Sequence, residues 1–329
     1  SFAVDSAPPR VRALSTAVRA LQASSQAQWG EAAVAYSHCA RLAEESDDSL
    51  LCALVDFARA NDLRLQGKIE KSQEYVEKLL TLSRQTMNAR SELRALLLSA
   101  VNHWWLHNYA LAREKVSEAR YLFEACDSVD EAVYAALKFS DLVGLHTRLL
   151  YDCLDCMMLS FEKVSVLVMF AAIDRLLRQM EDIENPTIDL LIVYTMCAEV
   201  ALNICVNNDA SSNAQSNRVQ ALAAAEQAIS ALKTFAGVHP VAQPFLLLWS
   251  AVLETEVSGK LSEKVNQKFV DAKQLANQFK MPHCEALIEY WHAQCLPSKL
   301  MAAKQTKNAN AKFVALGCLP RPTTTSTDI

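Results

Sequence analysis

The sequence predicts an all-α protein, an α-solenoid of stacked helical hairpins with about forty residues per unit. Its 329 residues include only 6 Gly and 9 Pro, fewer than the many turns of a β-sandwich or barrel require. Hydrophobic residues make up 51% and charged residues 21%, which is the composition of a folded chain. Few helix breakers and many helix-forming residues therefore indicate long helices joined by short connections.

Four apolar or small positions recur at a shift of forty residues in the first third of the chain. They are spaced at 0, +3, +7 and +13, which predicts that they share one helical face. The first is large, the second is small, and the last two are apolar: Trp29, Ile69 and Tyr109; Ala32, Ser72 and Ala112; Tyr36, Val76 and Val116; Leu42, Leu82 and Leu122.

Each of these helices follows another apolar-periodic helix, predicted over 11–23, 50–64 and 92–106. The unit is therefore a helical hairpin, similar to a tetratricopeptide repeat but longer than its ~34 residues. An isolated hairpin cannot bury its apolar face, so successive hairpins must stack.

The repeat weakens in the middle of the chain and returns near its end. A shift of 37 fits His146, Leu149, Cys153 and Leu159, and the original spacing recurs at Ser262, Val265, Phe269 and Leu275. Between these units the pattern predicts helices over 169–183, 187–206, 218–235 and 244–258.

These patterns divide the chain into five segments. We expect a linker or extended N-terminus at 1–9, tetratricopeptide-like hairpins at 10–206 and C-terminal hairpins at 218–318. The polar stretch 207–217 has no apolar period and predicts a flexible loop. The tail, 319–329, is predicted to be disordered.

Charge and cysteine content bear on partners and location. The net charge is −5 with no basic block, which argues against nucleic acid and anionic lipid as partners. No stretch of about 20 uncharged apolar residues predicts a membrane span. Ten cysteines without a disulfide framework suggest a reducing compartment, the cytoplasm. Association with a cilium or the cytoskeleton is a further expectation, based on where repeat proteins often occur.

The C-terminal third carries the most specific pattern of helix-packing and turn residues. A Pro-x-x-x-Pro segment leads into an apolar helix, a Gly turn follows, and later helices contain Met-Pro, Glu-Ala-Leu and Leu-Gly sequences. The residues are Pro240, Pro244, Gly259, Ala276, Met281, Pro282, Glu285, Ala286, Leu287, Phe313, Leu316 and Gly317.

This pattern resembles the helical-repeat C-terminal region of soluble adenylyl cyclase-type proteins and related cyclase–ATPase multidomain proteins. The catalytic modules of that family precede the repeats, and nothing in this sequence matches them. The resemblance therefore implies a regulatory or scaffolding repeat region. Its cyclase or ATPase would lie upstream of Ser1, since residues 1–9 have the character of a linker.

Three local motifs could carry chemistry, and each has a structural alternative. Cys153-Leu-Asp-Cys156 could serve redox or metal chemistry, but without a second pair it fits core packing better. His103 and His107 could share a metal, but a zincin needs Glu where Trp104 stands.

The third motif is His283 followed directly by Cys284. Adjacent residues on a helix point about 100° apart, so they are poorly placed for a nucleophile–base dyad. With only six Gly, the chain has no glycine-rich phosphate loop. We therefore predict no catalytic residues, no cofactor and no metal.

The predicted function is non-catalytic binding or scaffolding of other proteins. Trp104, Trp105 and His107, at the end of a first helix, are candidate partner contacts, and the alternative is that the tryptophans fill the hairpin junction. The final residues, Thr327-Asp-Ile329, also fit the pattern that PDZ domains capture. A structural subunit of a large assembly, for example a ciliary one, is a further alternative.

Overall fold

The structure, a computed structural model, describes residues 7–134, 140–161, 166–181, 183, 186–206 and 214–321. Within these residues it contains fourteen α-helices and no strand, so the all-α prediction is confirmed. The helices are α1 (Pro9–Ser25), α2 (Trp29–Glu45), α3 (Ser49–Leu65), α4 (Ile69–Gln85), α5 (Ala89–Trp105), α6 (Tyr109–Tyr134), α7 (Ser140–Phe161), α8 (Val166–Glu181), α9 (Leu191–Val206), α10 (Ala214–Val238), α11 (Gln243–Ser258), α12 (Glu263–Gln278), α13 (Pro282–Cys295) and α14 (Lys299–Ala315).

The first five helices are regularly spaced along the chain. Each has 17 residues and each is followed by a three-residue turn, so a new helix begins every twenty residues. The middle residue of each turn has a left-handed backbone: Ala27, Asp47, Gly67, Met87 and His107, with φ between 52° and 74°. Two such helices make a hairpin of forty residues.

The turns share one hydrogen-bond pattern that ends each helix. In the first turn, the N–H of Gln28 donates to the carbonyl of Ala23 and the N–H of Ala27 donates to that of Ser24. This is the Schellman arrangement, in which a left-handed residue lets the last carbonyls of the helix find donors. The same pair of bonds recurs in the four later turns.

Two of the four recurring positions, at +3 and +7, lie in the core of every unit, and the first position is buried at Trp29 and Ile69 but half-buried at Tyr109. The small position is fully buried in all three units, at Ala32, Ser72 and Ala112. The +13 position is wrong as a core position in the second unit, where Leu82 is 42% exposed. At about 100° per residue, a position thirteen residues on has turned to the edge of the buried face.

The position at +10 is the better fourth member of this face. Its residues, Cys39, Leu79 and Ala119, are 0%, 3% and 0% exposed. The pattern was missed because Cys and Ala are weaker apolar signals than the leucines at +13. Those leucines differ among themselves, since Leu42 is buried and Leu122 is half-buried.

Consecutive helices pack against one another along the chain, as stacked hairpins require. The later helices also contact the turns of the first hairpins. The indole N–H of Trp29 donates to the carbonyl of Phe279 at 2.6 Å, and Gly67 lies against Pro282. The turn between α12 and α13 therefore lies against the beginning of α2 and the turn before α4.

Some predicted boundaries shift. The predicted loop 207–217 ends earlier, because α10 begins at Ala214; residues 207–213 lie outside the described residues. The expected disorder does not hold for 319–321, which make the contacts given below, and 322–329 lie outside the described residues.

In the described part of the chain, none of the helices is long and apolar enough to cross a bilayer.

Candidate functional site

Residues 316–321, which follow α14, run back across the molecule and are here called the C-terminal strap. Gly317 has a φ of +79°, and the N–H of Cys318 donates to the carbonyl of Phe313 at 2.9 Å, so the chain reverses at the end of α14. The left-handed conformation suits Gly because it has no Cβ. The turn directs the strap toward the connection between α5 and α6.

The strap is held there largely through its main chain. The N–H of Leu319 donates to the carbonyl of Leu106 at 2.9 Å, and the carbonyl of Leu319 accepts from Nδ1 of His107. Asn310 of α14 accepts from the N–H of Arg321 at 3.0 Å and donates to its carbonyl at 3.2 Å. Donors and acceptors on both sides fix the backbone of these residues.

The side chain of Arg321 enters a buried site. Its Nη1 lies 2.8 Å from Oε1 of Glu199 on α9, and the two side chains are only 9% and 8% exposed. Its Nε donates to Nε2 of His107 at 3.1 Å. The guanidinium also lies over the rings of Tyr290 and Phe313, at 5.2 and 5.8 Å from their centroids. We call this set of groups the arginine site.

The surroundings set the protonation states of the arginine site. Desolvation lowers the pKa of Arg321, but the charge of Glu199, the nearby Tyr109 and Tyr290 and the hydrogen bond to Glu199 together outweigh it, so the net pKa is raised. Burial, with the positive charge of Arg321 second, lowers the pKa of His107 to about 2. His107 is therefore neutral and carries its proton on Nδ1, since Nδ1 donates to Leu319 and Nε2 accepts from Arg321.

A second histidine lies beside the arginine site. His283, at the start of α13, donates from Nε2 to the carbonyl of Trp105 at 3.1 Å, and its ring stacks on that indole at 4.3 Å. Burial, with Arg321 second, lowers the pKa of His283 to about 3. Both histidines are therefore neutral at pH 7.

The three predicted partner contacts lie in this region, and all are buried. Trp104, Trp105 and His107 are 4%, 7% and 3% exposed. Both tryptophans fill the hairpin junction, as the structural alternative describes, and a contact of these residues with a partner stays a prediction. The sequence placed them correctly at the end of a first helix, but could not show that later helices cover that end.

A small cavity remains between the arginine site and α11. It measures about 20 Å³ and is lined in part by Trp105, Glu199, Trp249 and His283. That volume holds about one water molecule, so it admits no larger substrate in this conformation. Nε1 of Trp249 and Nδ1 of His283 are buried without a hydrogen-bond partner.

The other candidate chemical residues are dispersed. Cys153 and Cys156 are buried in α7, where burial raises the pKa of both thiols, that of Cys156 to about 12. These thiols are therefore protonated, and thiolate is the form that binds metal or attacks a disulfide. His103 is half-buried, and burial lowers its pKa. Among the residues described here, no group of three His, Cys, Asp or Glu side chains could hold a metal ion.

The suggested dyad of His283 and Cys284 is not formed. The Nε2 of His283 is engaged by the carbonyl of Trp105, and Cys284 is 1% exposed. Burial, with the charge of Glu285 second, raises the pKa of Cys284. An inaccessible protonated thiol is a poor nucleophile.

The outer face of α1 is a second candidate surface. Val11, Leu14 and Val18 are 52%, 49% and 64% exposed and lie on one side of the helix. We call these three residues the α1 face. In α3, one repeat later, Leu51 stands at the position of Val11, and it is only 4% exposed because it packs on the core of the first hairpin.

The third repeat shows the same covering of this face. Leu98 in α5 is equivalent to Val18 and is 4% exposed, in a cluster with Val76 and Leu79 of the preceding hairpin. Each of α3 and α5 thus presents this face to the hairpin before it. On α1 none of the described helices covers the same face.

Comparison of the chain with protein-family models, curated proteins and solved structures finds no match. The resemblance to cyclase-type repeats therefore remains a prediction.

Proposed function

We propose that the chain is a non-catalytic protein-interaction or scaffolding module of tetratricopeptide-like hairpins, whose partner stacks on the α1 face. The open state of that face supports the proposal. Its equivalents on α3 and α5 are stacking surfaces in this molecule. The same geometry on α1 can accept one more helical hairpin.

The chemistry of the α1 face fits this occupant. Terminal units of a solenoid ordinarily carry polar outer faces, because an apolar stacking surface left in water would reduce solubility. Here two valines and a leucine stand in a row, with the polar, exposed Ser15 and Gln22 beside them. A mixed surface of this kind suits a partner helix that brings apolar side chains at i, i+3 and i+7.

A second candidate function follows from the same surface. A hairpin preceding α1 in a longer protein would cover the face in cis, as α2 covers α3. The chain would then be the C-terminal regulatory region of a multidomain cyclase or signalling ATPase. A cyclase or P-loop module encoded upstream of Ser1 would support this candidate.

The test compares three chains by affinity purification and quantitative mass spectrometry. They are the wild type, the double variant Val11→Glu/Val18→Glu, and Val257→Glu as a matched control. Val257 is 60% exposed on α11, so its substitution adds charge without touching α1. Circular dichroism verifies that all three keep their helical content.

We expect a set of co-purifying proteins that is lost from the α1 variant and kept by the control. Charges on the α1 face would have to be desolvated in a stacked interface, which is costly. Identical protein sets from the three chains would show that the α1 face is not the contact surface and would overturn the proposal.

A further inference from the structure

We propose that the arginine site and the backbone positions beside it form a binding site for an extended, arginine-containing peptide of a partner protein, which the strap occupies in cis. This surface is distinct from the α1 face and the inference does not depend on it. The ligand class is a peptide whose arginine side chain reaches Glu199 and whose residue two positions earlier pairs through its main chain.

The contacts of the strap are those of peptide recognition. The protein binds the N–H and the carbonyl of Leu319, while the residue as a whole is 54% exposed. Pro320 is also exposed. Main-chain pairing provides affinity and a pocket for one side chain provides specificity, as in other modes of extended-peptide binding. The site therefore tolerates variation at these two positions and selects the residue at the position of Arg321.

The pocket selects arginine over lysine. Two different nitrogens of the guanidinium are used, Nη1 toward Glu199 and Nε toward His107. A lysine ammonium is a point charge and cannot place donors at both positions in one fixed plane. The ring of Tyr290, 5.2 Å from the guanidinium, adds a face on which a planar cation stacks well.

The site also requires an occupant. Glu199 is 8% exposed in its side chain and sits on α9, whose other residues are mostly apolar and buried. A buried carboxylate without a cation is unfavourable, so the strap leaves only when another cation takes its place. An arginine of a partner satisfies this condition, because it makes the same contacts that Arg321 gives up.

Exchange between the two occupants is a competition between cis and trans binding. The strap is tethered to α14 by a short turn, which gives it an effective concentration on the order of millimolar. A partner peptide must exceed this threshold through contacts of its own beyond the arginine site. The strap thus keeps the site closed to weak ligands, and removal of the Arg321 side chain opens it.

The test uses the full chain and a fluorescein-labelled peptide, acetyl-Gly-Ala-Leu-Pro-Arg-amide, with binding followed by fluorescence anisotropy. The chains are the wild type, Arg321→Ala, and the double variant Glu199→Gln/Arg321→Ala. A second peptide carries alanine in place of arginine, and a third carries lysine. We expect Arg321→Ala to bind the arginine peptide at least about tenfold more tightly than the wild type does, because the cis competitor is gone.

We expect the affinity of Arg321→Ala for the peptide to fall about tenfold or more when the peptide arginine is replaced by alanine or lysine. A fall of the same size is expected when Glu199 is also replaced by Gln. A natively helical Arg321→Ala chain that does not bind the arginine peptide would overturn the proposal, as would equal binding of all three peptides. If Arg321→Ala has lost its helical circular dichroism signal, the titration is carried out on Arg321→Lys, which keeps a cation beside Glu199 and weakens the competitor. If Arg321→Lys shows no binding of the arginine peptide up to the highest peptide concentration used, the proposal is also overturned.

Discussion

The hydroxyl of Ser24 donates a 2.6 Å hydrogen bond to the buried carboxyl group of Asp62. One repeat later, Arg64 donates to the side-chain oxygen of Asn102 at 3.1 Å. Both contacts join residues 38 positions apart, and each links one first helix to the next. The repeat is therefore marked by a polar contact in the core as well as by its apolar face.

The carboxyl group of Asp62 makes stability depend on pH. Burial raises its pKa from 3.8 to about 7, and the hydrogen bond from Ser24 offsets part of that rise. Between these values the folded chain holds a proton that the unfolded chain has released, so the free energy of unfolding falls as the pH rises toward 7. We expect the wild type to lose Tm between about pH 4 and pH 7, the interval between the two pKa values, and Asp62→Asn to lose much less.

The control for Asp62 is Asp47→Asn, an isosteric change in an exposed turn. Its Tm should follow the wild-type pH profile. Parallel profiles for all three chains would contradict the assignment of this dependence to Asp62. Thermal unfolding followed by circular dichroism provides the measurement.

Loss of the buried pair between Arg321 and Glu199 should strongly destabilise the fold. Arg321→Ala leaves a carboxylate buried without its cation, and breaking such a pair costs about 3–5 kcal/mol. The cycle with Glu199→Gln should show coupling, so that the double variant is less destabilised than the sum of the singles. Urea unfolding of the four chains gives the free energies.

An exposed ion pair serves as the comparison. Arg178 and Asp174 form an i,i+4 pair on α8 whose side chains are 76% and 57% exposed. Arg178→Ala should change the free energy of unfolding by no more than about 0.5 kcal/mol. If the two arginine substitutions had equal effects, the strap would have no special part in stability.

The small position of the repeat should not tolerate a larger side chain. Ala32 is fully buried, and Ala32→Leu forces extra methyl groups into a packed interface, at a cost of about 1–3 kcal/mol. Ala33 is exposed on the same helix. Ala33→Leu should have little effect on the free energy of unfolding, because alanine and leucine have similar helix propensities. Equal unfolding free energies for the two variants would argue against close packing at Ala32.

Two turns with the same backbone should respond in opposite directions. Gly67 has a φ of +74°, and a Cβ there would lie 2.7 Å from Cγ of Pro282, so Gly67→Ala should lower the Tm. Met87 has a φ of 52° and is 90% exposed, so Met87→Gly should relieve strain and stabilise by up to about 1 kcal/mol. The prediction fails if Gly67→Ala is neutral or Met87→Gly lowers the Tm.

The local features of this fold could be predicted because neighbouring residues determine them. The forty-residue spacing of Trp29, Ile69 and Tyr109 follows from helix periodicity and short turns, and the helices match it. The turns themselves were harder, because only Gly67 is a glycine among the left-handed residues of the five turns that follow α1 to α5. The hydrogen-bond pattern holds Ala27, Asp47, Met87 and His107 in a conformation that their side chains do not favour.

The arginine site could not be predicted because its members are far apart in sequence. Arg321 and Glu199 are 122 positions apart, and Arg321 lies in a stretch whose composition predicts disorder. One signal was present, since Glu199 interrupts the strongly apolar run of α9 and a buried carboxylate implies a partner. The identity of that partner depends on how the hairpins stack, which no local pattern contains.

The strap also changes how the molecule should come apart. An open solenoid frays from its ends, one hairpin at a time, because each unit touches only its neighbours. Here Arg321 joins the end of the described chain to α9 and to the turn after α5, and the beginning of α2 contacts the α12–α13 turn. Because these contacts tie the first hairpin and the strap to units that are distant in sequence, the described part of the stack should melt as one cooperative unit.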